Sequence, residues 1–188
     1  MRRLMMLAVA VLLAGCAVEE PPEAPPGLPL MAWDHRSDSD ELTLAALTAL
    51  RGHGAALVQT VPADVTRWCP AYPEADASDR AAFWSGLFST LAEHESTWNP
   101  RAVGGGGRWF GLVQIDPATA RGYGCAAKTG EALKDGPANL SCAVRIATHQ
   151  VQRRGTIARG MLDWGPFHSS GKRAEMRAFT RAQSYCQP

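Results

Sequence analysis

Leu91-Ala92-Glu93-His94-Glu95-Ser96-Thr97-Trp98-Asn99-Pro100 is the stretch whose reading decides the fold. Upstream of it, Phe83, Trp84, Leu87, Phe88 and Leu91 recur at the spacing of one buried helix face. Ser78-Asp79 offer an N-cap and an acidic first turn. Asn99-Pro100 stops the helix at its other end. Four residues beyond Leu91 stands Glu95, so the same period sets a carboxylate on the apolar stripe in the last turn. Desolvation there raises a carboxyl pKa and holds the proton near neutral pH, as a general acid requires. The competing reading is a helix-end Glu turned to solvent. His94-Glu95 also begins a zinc-protease motif. That motif needs a second His at position 98, where the chain has Trp98.

Downstream, Gly104-Gly105-Gly106-Gly107 leads into Arg108-Trp109-Phe110 and then Gly111-Leu112-Val113-Gln114-Ile115. The glycine run lets backbone lie close to a ligand, and no Lys-Ser/Thr follows it, so it is unlike a phosphate loop. Taken together, Glu95-Ser96, Asn99-Pro100, Ala102, Gly111 to Ile115, Pro117 and Thr119-Ala120 resemble the lytic transglycosylase (SLT) domain of the lysozyme-like superfamily. The likeness is dense over residues 80–124 and thins toward the C-terminus. It implies a mainly α, lysozyme-like fold with little or no β-structure. It also implies Glu95 as the catalytic acid/base and a sugar cleft lined by Gly111, Leu112 and Gln114, with Val113 where Met is usual. By the family's pattern Ser96 hydrogen-bonds near the acid or the substrate, and Gln114 binds an N-acetyl group or orients Glu95. Trp98, Trp109 and Phe110 either wall the acid, stack on sugars or pack in the core. Asn139-Leu140 resembles the family's Asn-Ile pair and is read as structural. Many members carry an Ala-Tyr-Asn segment whose Tyr faces the Glu. Here Leu162-Asp163-Trp164-Gly165-Pro166-Phe167 stands instead, with Trp164 or Tyr123 as the replacement and Trp164 as a substrate-binding candidate.

Glycosidases usually need two carboxylates. No second motif holds one after Glu95, and the resemblance implies that the substrate supplies the missing group. Glu95 would protonate the glycosidic oxygen of the MurNAc–GlcNAc β-1,4 bond, then take the proton of the C6 hydroxyl that attacks C1, leaving a 1,6-anhydro-MurNAc end. Asp116, just after Gln114-Ile115, keeps a second possibility open, because the placement resembles goose-type lysozymes in which an Asp helps water attack. Within its own segment, Asp116 before Pro117 reads as a helix cap. A third possibility is a cell-wall binding lipoprotein with no activity. None of the three needs a metal or an organic cofactor.

Met1-Arg2-Arg3 is a basic n-region, and Leu4 to Leu13 is apolar but too short to span a bilayer. Leu13-Ala14-Gly15-Cys16 reads as a lipobox, which implies a signal peptide over residues 1–15 and lipidation of Cys16. The alternative is an ordinary secretory peptide. Acyl chains would be the only hold on a membrane, at the periplasmic face of the envelope and, since Ala17 replaces a retention Asp, at the outer membrane. Residues 16–30, rich in Pro and Glu, form a solvated tether. The folded domain is expected over 31–188. A net charge of +1 and the lack of aromatic-basic interleaving exclude a nucleic-acid partner. The partners expected are peptidoglycan glycan strands and the cell-wall machinery.

Five cysteines leave four if Cys16 is lipidated, and four in an exported chain argue for two disulfides in one of three pairings. Cys125–Cys142, closing a short loop, and Cys69–Cys186, tying the two ends of the domain, are preferred. The spacings do not form paired zinc half-sites. Helices are expected from Ser37-Asp38 through Leu44, Leu47 and Leu50 to Gly52, over Phe83–Glu95, at Thr119–Tyr123, over Ala138–Gln152 with Asn139 near the cap, and over Lys172–Tyr185 with Met176, Phe179 and Ala182 inward. Val58–Val65 reads as a connection. Trp109–Ile115 is the best extended segment.

Overall fold

A computed structural model describes residues 27–188. The expected signal segment 1–15, the expected lipidation site Cys16 and the expected tether as far as residue 26 lie outside the described residues. The molecule is mainly helical, as expected, and is built around one central helix.

That helix, α3 (Ala77–Ser96), is buried without interruption from Ala81 to Ala92. Phe83, Trp84, Leu87, Phe88 and Leu91 are fully enclosed, each contributing roughly 2 kcal/mol by leaving water. A helix buried all round must dispose of its polar side chains. Ser89 and Thr90 donate to their own helix at the Gly86 and Leu87 carbonyls. Gly86 has no side chain because a Cβ there would overlap the Tyr185 hydroxyl. The cap is Asp76, which accepts from the Ser78 and Asp79 amides; the expected Ser78-Asp79 cap is thus two residues late, since a β-region Asp is what opens the turn.

The other helices pack around this axis. They are α1 (Ser39–Arg51), α2 (Ala55–Gln59), α4 (Pro117–Gly122), α5 (Gly136–Arg154), α6 (Ile157–Gly160) and α7 (Ser170–Ala182). Part of the expected Val58–Val65 connection is α2, a short helix whose apolar pair Leu57 and Val58 is buried. In α5 the cap is Asp135, whose carboxylate accepts from the Ala138 amide, with Pro137 in the first turn. Asn139 therefore stands inside the helix. In α7, Met176 and Thr180 point inward and Ala182 is exposed, so the expected inward Ala is a surface residue. Thr180 takes that place because its hydroxyl reaches the Trp68 carbonyl at 2.8 Å.

The strands among the described residues form one small hairpin, with β1 (Val103–Gly104) antiparallel to β2 (Trp109–Phe110). The expected extended run 109–115 is broken after Phe110 by a tight turn, and an isolated bridge joins Phe110 to Ile115. Both disulfides are present in the preferred pairing, Cys69–Cys186 and Cys125–Cys142.

Residues 30–35 form a strap along α3. The Tyr185 hydroxyl donates to the Leu30 carbonyl, the Ala32 amide to Ser89, and Trp33, fully buried, to Thr43. The strap begins where Gly27, Leu28 and Pro29 line one hollow together with Ser78, Asp79 and Ala82. It reaches the far end of the helix at His35, whose ring meets Trp98 edge-on at 4.5 Å. The N-terminal segment and Glu95 therefore approach opposite ends of α3.

Candidate active site

Glu95 lies in the last turn of α3, half-buried. Its Oε1 is enclosed and has no hydrogen-bond partner among the described residues. The nearest elements are the 3-10 turn Gly165–His168 and the first turn of α7. A Cβ on Gly165 would stand 3.8 Å from Oε1, so the glycine keeps this wall thin. Burial pushes the Glu95 carboxyl up to about 7 from an ordinary 4.5, while the Lys172 ammonium and the Gly165 amide pull it part of the way back. A buried carboxyl with an orphaned oxygen retains its proton near neutral pH and can donate it. His94, its neighbour, meets Glu175 of α7 at 3.4 Å.

The chain leaves α3 under strain. Thr97 and Trp98 both have positive φ, 52° and 54°, and a β-branched residue there is costly. Gln114, at 48°, is the other non-glycine residue with positive φ among the described residues, and it belongs to the same site. Such strain persists only where surrounding contacts over-determine it. The Thr97 and Trp98 amides close onto the Glu93 and Ala92 carbonyls, and the Trp98 indole donates to Ser89 at 2.8 Å.

The 111–115 turn is held from three sides. Ser96 donates to the Leu112 carbonyl at 2.8 Å, with the Ala92 carbonyl of its own helix at 3.1 Å. This hydroxyl joins the acid's helix to the turn. Asn139, fully buried, donates to the Phe110 and Leu133 carbonyls and accepts from the Val113 amide. Gly111 has φ of +83°, and a Cβ there would overlap the Leu133 carbonyl and the Asn139 amide. Only glycine fits, because both the dihedral and the space exclude a side chain. Leu112 is fully buried and its carbonyl is taken by Ser96, so its side chain packs in the core and does not face the cleft. Gln114 donates to the Gly111 carbonyl at 2.8 Å.

Trp109, Gln114, Ile115, Asp116, Thr119, Ile146, Asp163 and Trp164 enclose a cleft of about 220 Å³. Trp109 is 42% exposed, an unusual surface for an indole, and presents a ring for stacking. Trp164 is 4% exposed and donates to the Val113 carbonyl at 2.9 Å, so it braces the turn from below. Trp164 precedes Gly165, which faces Glu95. Asp116 caps α4 by accepting from Ala118 at 2.7 Å, and its other oxygen accepts from Arg108 at 2.8 Å. The Arg108 hydrogen bond, followed by the backbone amides, holds its carboxyl below the usual carboxylate range. Tyr123 bonds to Gln150 rather than to Glu95.

The structure thus brings Glu95, Ser96, Gln114, Trp109 and Trp164 around one turn. Gly111 contributes room and Leu112 contributes packing. Lys172, Gly165 and Gln150 escape sequence reasoning because nothing local marks them. Asp163 was passed over because it stands outside any motif. Among the described residues no His/Cys/Asp/Glu group is arranged to hold a metal, and no helix is long and apolar enough to cross a membrane.

This arrangement defines a class. Residues 73–164 match the family model described as Transglycosylase SLT domain. This segment of the chain is an SLT domain of lysozyme-like fold. Among solved structures, "Bd0314 DslA wild-type form 2" aligns with a TM-score of 0.76 and 24% identity over 85% of this chain and 98% of that chain. Two mutants of the same protein align with TM-scores of 0.75 and 0.76 at the same identity and coverage. No curated protein matches. The SLT family implies binding of peptidoglycan glycan strands and cleavage of their glycosidic bonds.

Proposed function

We propose that this chain is a peptidoglycan lytic transglycosylase that cleaves the MurNAc–GlcNAc β-1,4 bond with Glu95 as its single acid/base. The observation that carries this is the enclosed, unpartnered Oε1 of Glu95 with its carboxyl raised to about 7. Protonated Glu95 donates to the glycosidic oxygen, the bond to C1 breaks, and the N-acetyl carbonyl of the muramic sugar steadies the positive centre. The Glu95 carboxylate then takes the C6 hydroxyl proton as that oxygen bonds to C1. The product is a 1,6-anhydro end, and water is not consumed. A carboxyl poised near 7 serves both halves, because it gives and accepts the proton with little driving force wasted.

Hydrolysis assisted by Asp116 has weaker support, since both carboxylate oxygens are already engaged by Ala118 and Arg108. For Ser96, the two carbonyl contacts support a role in fixing the acid's helix to the turn. Lipidation of Cys16 belongs to the same proposal. The strap enters beside Ser78 and Glu95 stands seventeen residues along α3, about 25 Å away at 1.5 Å per residue. A chain tethered at its N-terminal side would hold the cleft away from the membrane and toward the wall.

The test is mass spectrometry of muropeptides released from purified peptidoglycan by the full chain, with Glu95→Gln as control. Products one water lighter than reducing-end muropeptides are expected. Reducing ends would replace the proposal with hydrolysis. No release from well-folded protein would leave a binding module.

A further inference from the structure

Three successive residues form a ledge beside Glu95, and each meets a different part of the chain. Gly165 faces the acid itself, where a Cβ would stand 3.8 Å from Oε1. Trp164 donates its indole N–H to the Val113 carbonyl at 2.9 Å. Asp163 accepts at Oδ2 from Gln150 Nε2 at 2.9 Å, and its Oδ1 pairs with Arg154 at 3.9 Å. Gln150 lies on α5, one turn beyond Ile146, which lines the cleft. Its side chain is nearly buried. The same Nε2 donates to the Tyr123 hydroxyl, at the end of α4, at 2.6 Å. Oε1 accepts from Arg153 at 2.8 Å and from Arg154 at 3.2 Å. Two donations and two acceptances use the capacity of the amide, so its orientation is determined on both sides. A buried network satisfied in this way is rigid.

We propose that Gln150 is a positioning residue: through Asp163 it fixes the backbone of Trp164 and Gly165 beside Glu95. The inference rests on the glycan-cleaving function proposed above. Gln150 is not among the residues that line the cleft, so it acts through the ledge. Asp163 and Gly165 are two positions apart, about 7 Å of chain at full stretch. A shift at the first is therefore felt at the second. The single bond from the Trp164 indole to Val113 leaves the ledge free to pivot about that point once Asp163 is released. A general acid works only within hydrogen-bond reach of the oxygen it protonates. Misplacement by about 1 Å, caused by a change away from the chemistry, can cost about a hundredfold in rate. Trp164 keeps its own bond and its place in the cleft wall, so the loss falls on turnover rather than on binding.

The test uses the full chain on soluble, uncrosslinked glycan strands, with kcat and KM measured separately. Gln150→Glu is the informative variant. It keeps an acceptor for Arg153 and Arg154, and the Tyr123 hydroxyl can rotate to donate to it. Its other oxygen faces the Asp163 carboxylate, so the bond to the ledge is lost. The expected result is a fall in kcat of at least about tenfold, with KM within about threefold of wild type. Adding Asp163→Asn supplies an amide N–H that donates to the new carboxylate, which restores the link with its polarity reversed. The kcat of the double variant should rise at least about threefold above that of Gln150→Glu. Gln150→Met removes every bond and adds no charge, and it carries the test if the glutamate prevents folding. The same fall in kcat is expected, with no recovery on adding Asp163→Asn. A kcat within about twofold of wild type, a change confined to KM, or a Gln150→Glu loss that Asp163→Asn leaves untouched would overturn the positioning role and leave the proposed function standing. No product from folded wild-type protein would overturn both.

Discussion

The last turn of α3 and the first turn of α4 each present a carboxylate near the same turn, and the two are opposite in state. Glu95 sits at a helix C-terminus, where the backbone offers carbonyls rather than amides, and its Oε1 finds no partner. Asp116 sits at a helix N-terminus, where the Ala118 amide is waiting and Arg108 takes the second oxygen. Burial raises the first to about 7, and hydrogen bonds lower the second. Surroundings thus choose the protonation state of each acid: burial keeps a proton on Glu95, while the Arg108 guanidinium, followed by the amides of the α4 start, keeps Asp116 ionised.

The hardest test of that contrast is activity. Glu95→Gln, which keeps the shape and removes the proton, is expected to lose at least about a thousandfold in turnover of peptidoglycan, whereas Asp116→Asn loses less than about fivefold. Comparable losses in both would erase the distinction between acid and cap. Next comes the pH profile of kcat/KM. Its alkaline limb should fall through about 7, the Glu95 value, at tenfold per pH unit above it. A limb that begins near the ordinary carboxylate value would mean that Glu95 is not desolvated in the free protein.

The same shift has a stability consequence. Between about 4.5 and about 7, folded protein holds a proton on Glu95 that the unfolded chain has already lost. Stability from this group is therefore full below the unfolded value and declines as pH rises through that window. Half-exposure reduces the effect to about 2 kcal/mol. Urea unfolding should find Glu95→Gln more stable than wild type at pH 8 by about that amount and nearly equal to it at pH 4. The smallest effect falls on the cap. Asp116→Ala should lower unfolding free energy by about 1 kcal/mol, seen as a drop of a few degrees in melting temperature, by loss of the Ala118 bond.

Much of α3 was legible because periodicity is local. Phe83, Trp84, Leu87, Phe88 and Leu91 mark one face, and adding a turn reaches Glu95. Asn99-Pro100 was legible as a break for the same reason, whereas the turn after Phe110 was not, since the run to Ile115 reads as extended. Leu112 was misplaced into the sugar cleft, because a leucine in a glycine-flanked turn carries no sign of which side is core. Ser96 and Asn139 look like ordinary cap-type residues in sequence. Their work is to grip carbonyls sixteen and twenty-nine positions away, and no local pattern encodes that reach.

By itself the sequence determined the longer helices, the end of α3 on which an acid would stand, and a cysteine count fit for two bridges. Side-chain period, turn residues and composition act within a few positions, so they can be read in order along the chain. Tertiary structure alone decided the surroundings of Glu95, since Gly165 and Lys172, which temper the effect of its burial, arrive about seventy residues later. It likewise decided that Asp116 pairs with Arg108 and that Asp163 is engaged by Gln150 and Arg154. Desolvation and hydrogen-bond saturation are properties of what surrounds an atom, and distant segments supply those surroundings only when the chain has folded.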